Sequence, residues 1–272
     1  MGPKPTKSLQ PTKSHQPTKS HQPTKSHQPT KSHQPTKSHQ PIKSLKTIKS
    51  LNTALISVDL VVFQLSANNS LQVLVHQLPE NKCPQLPAGR IEPEFDHCLE
   101  DTAKRQLSRL TSEPATYFEQ VVTIGDNQRD SRGWSLTVVY YALLRPGNEQ
   151  SLQAQAVWVD VVNDQPVTTL AYDHNQLVME ALDRLKNKIQ YSALPVYLLP
   201  TEFTLSDIQH VFSVILGKAP PMRSIRNRFL NYNLLEDTGK KRYGSNRPAT
   251  LYQTNRQSEN WLFDRLYLTT KV

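Results

Sequence analysis

Along the first 52 residues the chain shows no hydrophobic periodicity, and from Thr53 onward it shows several kinds. Residues 55–63 are rich in Val, Ile and Leu. Residues 71–76 repeat that character after the turn signal Ala-Asn-Asn-Ser, which predicts a pair of strands. A loop through Leu86, Pro87, Ala88 and Gly89 leads to a predicted helix over about 96–111, where Leu99, Ala103, Leu107 and Leu110 share one face. Further strands are predicted at 118–124, 136–144 and 156–159. A second helix over about 175–188 turns Leu177, Ala181, Leu182 and Leu185 inward. Strands around embedded helices predict a compact α/β domain.

After Leu199 and Pro200 the pattern changes. Thr204 and Asp207 are spaced as a capping box, with Asp in place of the usual Glu. Ile208, Val211, Phe212, Ile215 and Leu216 follow as one apolar stripe, which Gly217 closes. Pro220 and Pro221 open a second helix in which Met222, Ile225 and Phe229 point inward. That leaves Arg223, Ser224, Asn227 and Arg228 outward, with Arg226 at the border. Lys240, Lys241, Arg242 and Arg247 then lie in a glycine-containing hairpin that ends at Thr250, Leu251 and Tyr252. Two helices on a short turn, the second basic, followed by a basic hairpin, describe a winged helix-turn-helix. In such a unit Arg and Asn of the second helix read base edges in the major groove. The wing cations meet phosphates, or in the case of Arg247 the minor groove.

Charge sharpens this division into segments. Residues 1–52 hold ten lysines and no acid, residues 53–200 hold 11 basic and 17 acidic groups, and residues 201–257 hold 9 basic and 4 acidic. The overall +9 therefore hides an acidic middle between a basic tail and a basic C-terminal part. Such asymmetry fits a chain of which one folded part meets a polyanion and another does not. The tail, from Pro5 to Asn52, is eight hexads, five of them identical Pro-Thr-Lys-Ser-His-Gln repeats. Stacking these would bury almost nothing apolar, so residues 1–52 are expected to be disordered despite their period. The histidines spaced six apart, His15 through His39, are not preorganised as metal ligands in such a chain. Its lysines would add a salt-sensitive attraction to DNA.

Two cysteines, Cys83 and Cys98, make neither a disulfide framework nor a metal set. There is no apolar run of about 18 residues and no secretory h-region, so no membrane partner and a cytoplasmic setting are expected.

The segment from Leu86 to Gly89, followed by a helix bearing Thr102-Ala103-Lys104-Arg105-Gln106-Leu107, resembles the Nudix box. In Nudix hydrolases that box sets four carboxylates around a catalytic magnesium ion. Aligned on Arg105 and Leu107, those positions hold His97, Gln106, Arg109 and Leu110 here, the closing glycine is Ser112, and the loop after Gly89 is two residues longer. A hard divalent cation needs several anionic oxygens. Arg109 puts a positive charge where the cation would sit, so no metal, no catalytic residue and no cofactor are expected. Glu100 and Asp101 precede the metal-binding turn and suit the helix N-terminus instead.

Beyond the box the chain is similar to NrtR-type Nudix-related transcriptional regulators. The residues that carry this are Tyr117-Phe118-Glu119-Gln120, Gly125-Asp126, Arg129-Asp130-Ser131-Arg132-Gly133, Leu170-Ala171-Tyr172-Asp173-His174 and Leu185-Lys186-Asn187-Lys188-Ile189-Gln190-Tyr191. The wing from Arg242 to Tyr252 joins them, with Tyr243 at a usually basic position.

The resemblance implies an α/β Nudix sandwich over 53–200 and a winged helix-turn-helix over 201–272 that includes a C-terminal extension. It implies a homodimer on a palindromic double-stranded operator of NAD-metabolism genes. The ligand it implies is ADP-ribose or a related nucleotide, bound and not cleaved; the rival reading is a nucleoside-diphosphate hydrolase with a fused DNA-binding module. Arg90, Tyr117, Glu119, Arg129, Asp130, Arg132, Gly133 and Asp173 are the expected ligand-binding residues. Arginines suit bidentate phosphate contacts, Gly133 suits a close backbone approach, and Tyr117 or Trp134 could stack on adenine. Asp130 and Asp173 could bond ribose hydroxyls or hold the arginines. Arg223, Ser224, Arg226, Asn227, Arg228, Lys240, Lys241, Arg242 and Arg247 are the expected DNA contacts. For Glu259–Val272, Trp261, Leu262, Leu266 and Leu268 could pack on either domain or on a partner.

Overall fold

The structure is a computed structural model, and it describes residues 54–131, 133–147, 151–244, 247–255 and 262–263. The repeat tail, Arg132, Trp261, Leu266 and Leu268 lie outside the described residues.

Strand β1 (Leu55–Leu65) is the spine of a mixed sheet. It pairs in parallel with β5 (Gly133–Leu143) from Leu55 opposite Ser135 to Phe63 opposite Leu143. On its other edge the partner changes midway. The first half pairs with β3 (Ala88–Arg90), and the second half with β2 (Leu71–His76). β4 (Tyr117–Asp130) extends the sheet beyond β5, while β6 (Ala156–Val162) and β7 (Gln165–Pro166) extend it beyond β2. A cleft opens at the first half of β1, beside β3.

Both faces of β1 are covered, which is why it reads as an unbroken apolar run. Val58, Leu60 and Val62 pack with Leu74, Val138 and Tyr140 against Ala103 and Leu107 of helix α1 (Leu99–Ser108). Val61, Phe63 and Leu65 pack with Val73, Val139 and Tyr141 against Leu177, Ala181 and Leu185 of helix α2 (His174–Ile189). Helix α2 puts these at four-residue spacing on one face, and each fully buried Leu contributes about 1.5–3 kcal/mol.

The segment between the strands predicted at 118–124 and 136–144 is the tip of one long hairpin. β4 continues to Asp130 and β5 starts at Gly133, whose φ of 139° is open to glycine but not to a bulky residue. Polar residues there gave no apolar alternation, and hairpin pairing prevailed without it. Gly133 thus lets the hairpin turn form.

The C-terminal part comprises α3 (Leu205–Leu216), α4 (Met222–Asn231) and a hairpin of β8 (Leu235–Arg242) and β9 (Ala249–Thr254). Thr204 Oγ1 accepts from the Asp207 amide and Asp207 accepts from the Thr204 amide, completing the capping box. Gly217 ends α3 at φ 69°. Ile208, Val211, Phe212, Ile215, Ile225 and Phe229 are buried, and their cluster is continuous with the α2 face of the sheet. Phe203 exchanges two backbone hydrogen bonds with Tyr252, which ties the hairpin to the start of α3.

Candidate ligand cleft and nucleic-acid interface

The cleft has a volume of about 540 Å³. Asp59 of β1, Arg90 of β3, Arg129 and Asp130 of β4, and Tyr172 and Asp173 just before α2 line it. Arg129 is directed inward because Asp126 Oδ1 accepts from the Gln128 and Arg129 amides at 2.6 and 2.9 Å, bending β4. Its guanidinium grips Asp173 with Nε at 2.5 Å and Nη2 at 3.0 Å, and Nη2 reaches Asp59 at 3.3 Å. Burial pulls against the charge on Arg129 and on Asp173. Their mutual pairing wins, so the Arg129 pKa is raised and the Asp173 pKa is lowered. Asp173 thus holds an arginine, one of its two expected roles.

Buried His174 closes the floor of the cleft. Its Nδ1 accepts from the Leu86 amide at 2.9 Å, and Nε2 lies 3.7 Å from Asp59. Burial pushes its pKa below the usual value against the pull of Asp59 and Asp173, so the ring is neutral with the proton on Nε2.

Beside the cleft, α1 carries the box-like turn. Arg105 donates to Asp96, to Glu92 and to the Arg90 carbonyl, fastening the loop after β3 to the helix. Asp96 is the acid facing Arg105, with its carboxyl held well below the usual carboxylate range by the guanidinium. The aligned residue His97 is exposed, because the longer loop moves the acid by one position. Asp101 accepts from the His97 and Cys98 amides and caps the helix.

Gln106 and Arg109 take up the rest of that turn. The Gln106 amide is packed so close over Gly89 that a Cβ on the glycine would lie 2.1 Å from its Nε2. Arg109 donates to Gln106 Oε1 at 3.2 Å and lies 3.7 Å from Glu92. Leu110 is 3% exposed in the apolar core. An amide, a guanidinium and an alkyl side chain do not fit a magnesium ion. Among the described residues no group of three or more His, Cys, Asp or Glu could hold a metal.

Tyr117 and Glu119, expected in the cleft, stand elsewhere. Glu119 accepts from Tyr117, Tyr141 and Lys188 at 2.8, 2.8 and 2.9 Å, and from Arg184. Lys188 is 14 residues along α2 from His174, which is about 21 Å at helical rise. Tyr117 is packed between Tyr141 and Tyr197, with ring centroids at 5.7 and 5.4 Å. Polar residues on an edge strand here bond to the far half of α2 and do not line the cleft, a distinction that β-alternation does not make.

Burial raises the Glu119 pKa, yet Lys188, Arg184 and the tyrosine hydroxyls lower it further, for a net depression. A depressed carboxyl stabilises the fold above its unfolded value of about 4.5, and the gain is lost as pH falls through the folded value. Glu119→Gln is therefore expected to lower the melting temperature at pH 7, with the gap from the parent closing towards pH 3. Thermal melts across that range measure it.

On α4, Arg223, Arg226 and Asn227 are exposed and Ser224 is half-buried. Arg228 departs from the outward face: its Nη1 donates to the Gln190 carbonyl at 3.0 Å, and the guanidinium lies 5.3 Å from the Phe263 ring centroid. It borders buried Phe229, so the end of α2 claims it. On the hairpin, Lys241 and Arg247 are exposed with no ion pair among the described residues. Lys240 pairs with Glu202 at 2.7 Å, and Arg242 spans both Asp207 oxygens at 3.0 and 2.8 Å. These two cations brace the wing against α3. Phe263, not singled out from the sequence, donates its amide to the Tyr191 carbonyl at 2.6 Å and packs on Phe229 and Tyr232. It follows an unperiodic stretch, so hydropathy carried no signal for it.

Residues 195–254 match the NrtR DNA-binding winged helix domain family. The chain is 34% identical over 218 residues to an ADPR responsive transcriptional repressor NtrR of Acinetobacter baylyi, covering 78% of this chain and 86% of that protein. The crystal structure of Shewanella oneidensis NrtR complexed with a 27mer DNA is 37% identical, with a TM-score of 0.69 over 77% of this chain and 98% of that one. A MutT/nudix family protein of Enterococcus faecalis shares the fold at 20% identity, with a TM-score of 0.58 over 77% of this chain and 90% of that one.

Proposed function

The chain belongs to the NrtR family of Nudix-related transcriptional regulators, and from that membership we propose that it is a DNA-binding repressor governed by ADP-ribose or a related nucleotide. One observation carries this reading above the others. Helix α2 begins at the cleft with Asp173 and His174 and ends under the recognition helix, where the Gln190 and Tyr191 carbonyls receive Arg228 and Phe263. A helix of 16 residues thus joins the arginine-lined cleft to the inner side of α4, whose outer face carries Arg223 and Arg226.

In this reading Arg90 and Arg129 meet the diphosphate, with Asp130 at the rim. Arg223, Ser224, Arg226 and Asn227 read bases, and Lys241 and Arg247 contact phosphates. Lys240 and Arg242 first have to release Glu202 and Asp207. The chain binds its nucleotide without cleaving it, since Gln106, Arg109 and Leu110 stand where the box has carboxylates and Asp96, beside His97, is engaged by Arg105. It acts in the cytoplasm as a homodimer on a twofold operator, over residues 53–200 and 201–272 as sensor and reader, and its genes are those of NAD metabolism. Among the described residues no helix is long and apolar enough to cross a membrane. Ligand that shifts the N-terminus of α2 reorients α4, and about 1–3 kcal/mol of coupling changes operator affinity 5- to 150-fold.

A hydrolysis assay on ADP-ribose with magnesium or manganese, run beside a competitor-resistant gel shift on the upstream DNA, separates the readings. Specific binding with no turnover is expected. Metal-dependent turnover without specific DNA binding would replace the regulator by a hydrolase.

A further inference from the structure

We infer that Tyr172 is the aromatic platform on which the planar base of the nucleotide stacks, an assignment that rests on the proposed nucleotide-binding role of the cleft. Neither aromatic residue expected to stack is available there. Tyr117 is enclosed by Tyr141, Tyr197 and the Glu119 cluster, and Trp134 lies over Gly125 on the β4–β5 hairpin. Among the described residues lining the cleft, Tyr172 carries the only phenol or indole ring, and the His174 imidazole is buried beneath it with centroids at 5.4 Å.

Two features of Tyr172 go against what folding alone favours. Its side chain is 75% exposed although its ring is a large apolar surface. Its φ of 56° lies in the left-handed region, which disfavours bulky side chains and suits Gly or Asn. The turn is held in that state from both sides. The Ala171 amide donates to the Pro84 carbonyl at 2.8 Å, the Leu170 amide donates to Asn175 Oδ1 at 2.8 Å, and the His174 amide reaches the Ala171 carbonyl at 3.2 Å. Pinned this way, the backbone presents an aromatic ring at the mouth of the cleft, one residue from the Asp173 carboxylate that grips Arg129. Ile56, 47% exposed, adds apolar surface to the same cleft. A base on Tyr172 with its diphosphate towards Arg129 and Arg90 uses the apolar and the cationic parts of the lining together.

Stacking on an aromatic ring strengthens binding through the ring face and is indifferent to the phenol oxygen. Calorimetric titration of the full chain with ADP-ribose, comparing the parent with Tyr172→Ala, Tyr172→Asn and Tyr172→Phe, tests this. Asparagine removes the ring while suiting the left-handed backbone, so it separates loss of stacking from a disturbed turn. The Ala and Asn variants are expected to bind about 10-fold more weakly or worse, and Phe within about 3-fold of the parent, all with unchanged operator binding in the absence of nucleotide. Parent-like affinity in the Asn variant, or a Phe variant as weak as Ala, overturns the inference while leaving the effector in place. A parent chain that binds no ADP-ribose overturns the effector reading and this inference with it.

Discussion

Replacing Arg223 and Arg226 together by alanine is expected to lower operator affinity at least about 30-fold while leaving the melting temperature within about 2 °C of the parent. Both side chains are exposed on α4 and three residues apart, so they share one face of the helix. A bidentate arginine–guanine contact contributes about 1–3 kcal/mol of discrimination, so losing two removes about 1.5 to 4 powers of ten in selectivity. Surface substitutions clear of packing cost stability about 0.5 kcal/mol or less. Arg228→Ala should behave in the opposite sense. Its guanidinium serves the Gln190 carbonyl and the Phe263 ring, so its loss shows first in stability and in coupling to the nucleotide. Competition titrations at several salt concentrations distinguish these from Lys241 and Arg247. Removal of either of those should weaken all sequences alike and reduce the salt slope by about 1.

The second large effect is expected at Arg129. Its side chain is 10% exposed, and it stands between Asp173 and Asp59, the latter 5% exposed. Arg129→Ala leaves two crowded carboxylates with neutral His174 as their neighbour. Breaking a buried pair by removing one partner costs about 3–5 kcal/mol, and at about 2–4 °C per kcal/mol for a domain of this size the melting temperature falls by roughly 10 °C. Adding Asp173→Asn should recover part of that, because it removes one of the stranded charges. Loss of Arg129 also raises the pKa of His174, since the guanidinium helps to hold that ring neutral. Thermal melts with a histidine titration by NMR check both parts. A single variant that melts like the parent would show that the cluster contributes no net stability.

Much of the architecture was legible because hydrophobic spacing encodes it directly. The stripe on α3 from Ile208 to Ile215, its Thr204–Asp207 cap and its Gly217 stop are set by local chemistry, and each appears as expected. The Nudix and winged-helix parts were also legible, through ordered motifs rather than periodicity. The roles of charged side chains were less so. Glu119 carries the same carboxylate as a ligand-binding acid, yet its partners are Arg184 and Lys188, more than 60 positions away. The partners of Lys240 and Arg242, Glu202 and Asp207, are about 35 positions away, beyond the reach of any local pattern. Tyr172 was read as part of a motif, but its exposure and its left-handed backbone depend on contacts with Pro84 and Asn175.

Fluorescence anisotropy on the DNA upstream of the chain's own coding sequence, at fixed salt with non-specific competitor and increasing ADP-ribose, tests the central claim most directly. The account predicts tight, competitor-resistant binding that ADP-ribose weakens by 5- to 150-fold. The absence of specific binding to that DNA and to regions upstream of NAD-metabolism genes would contradict it.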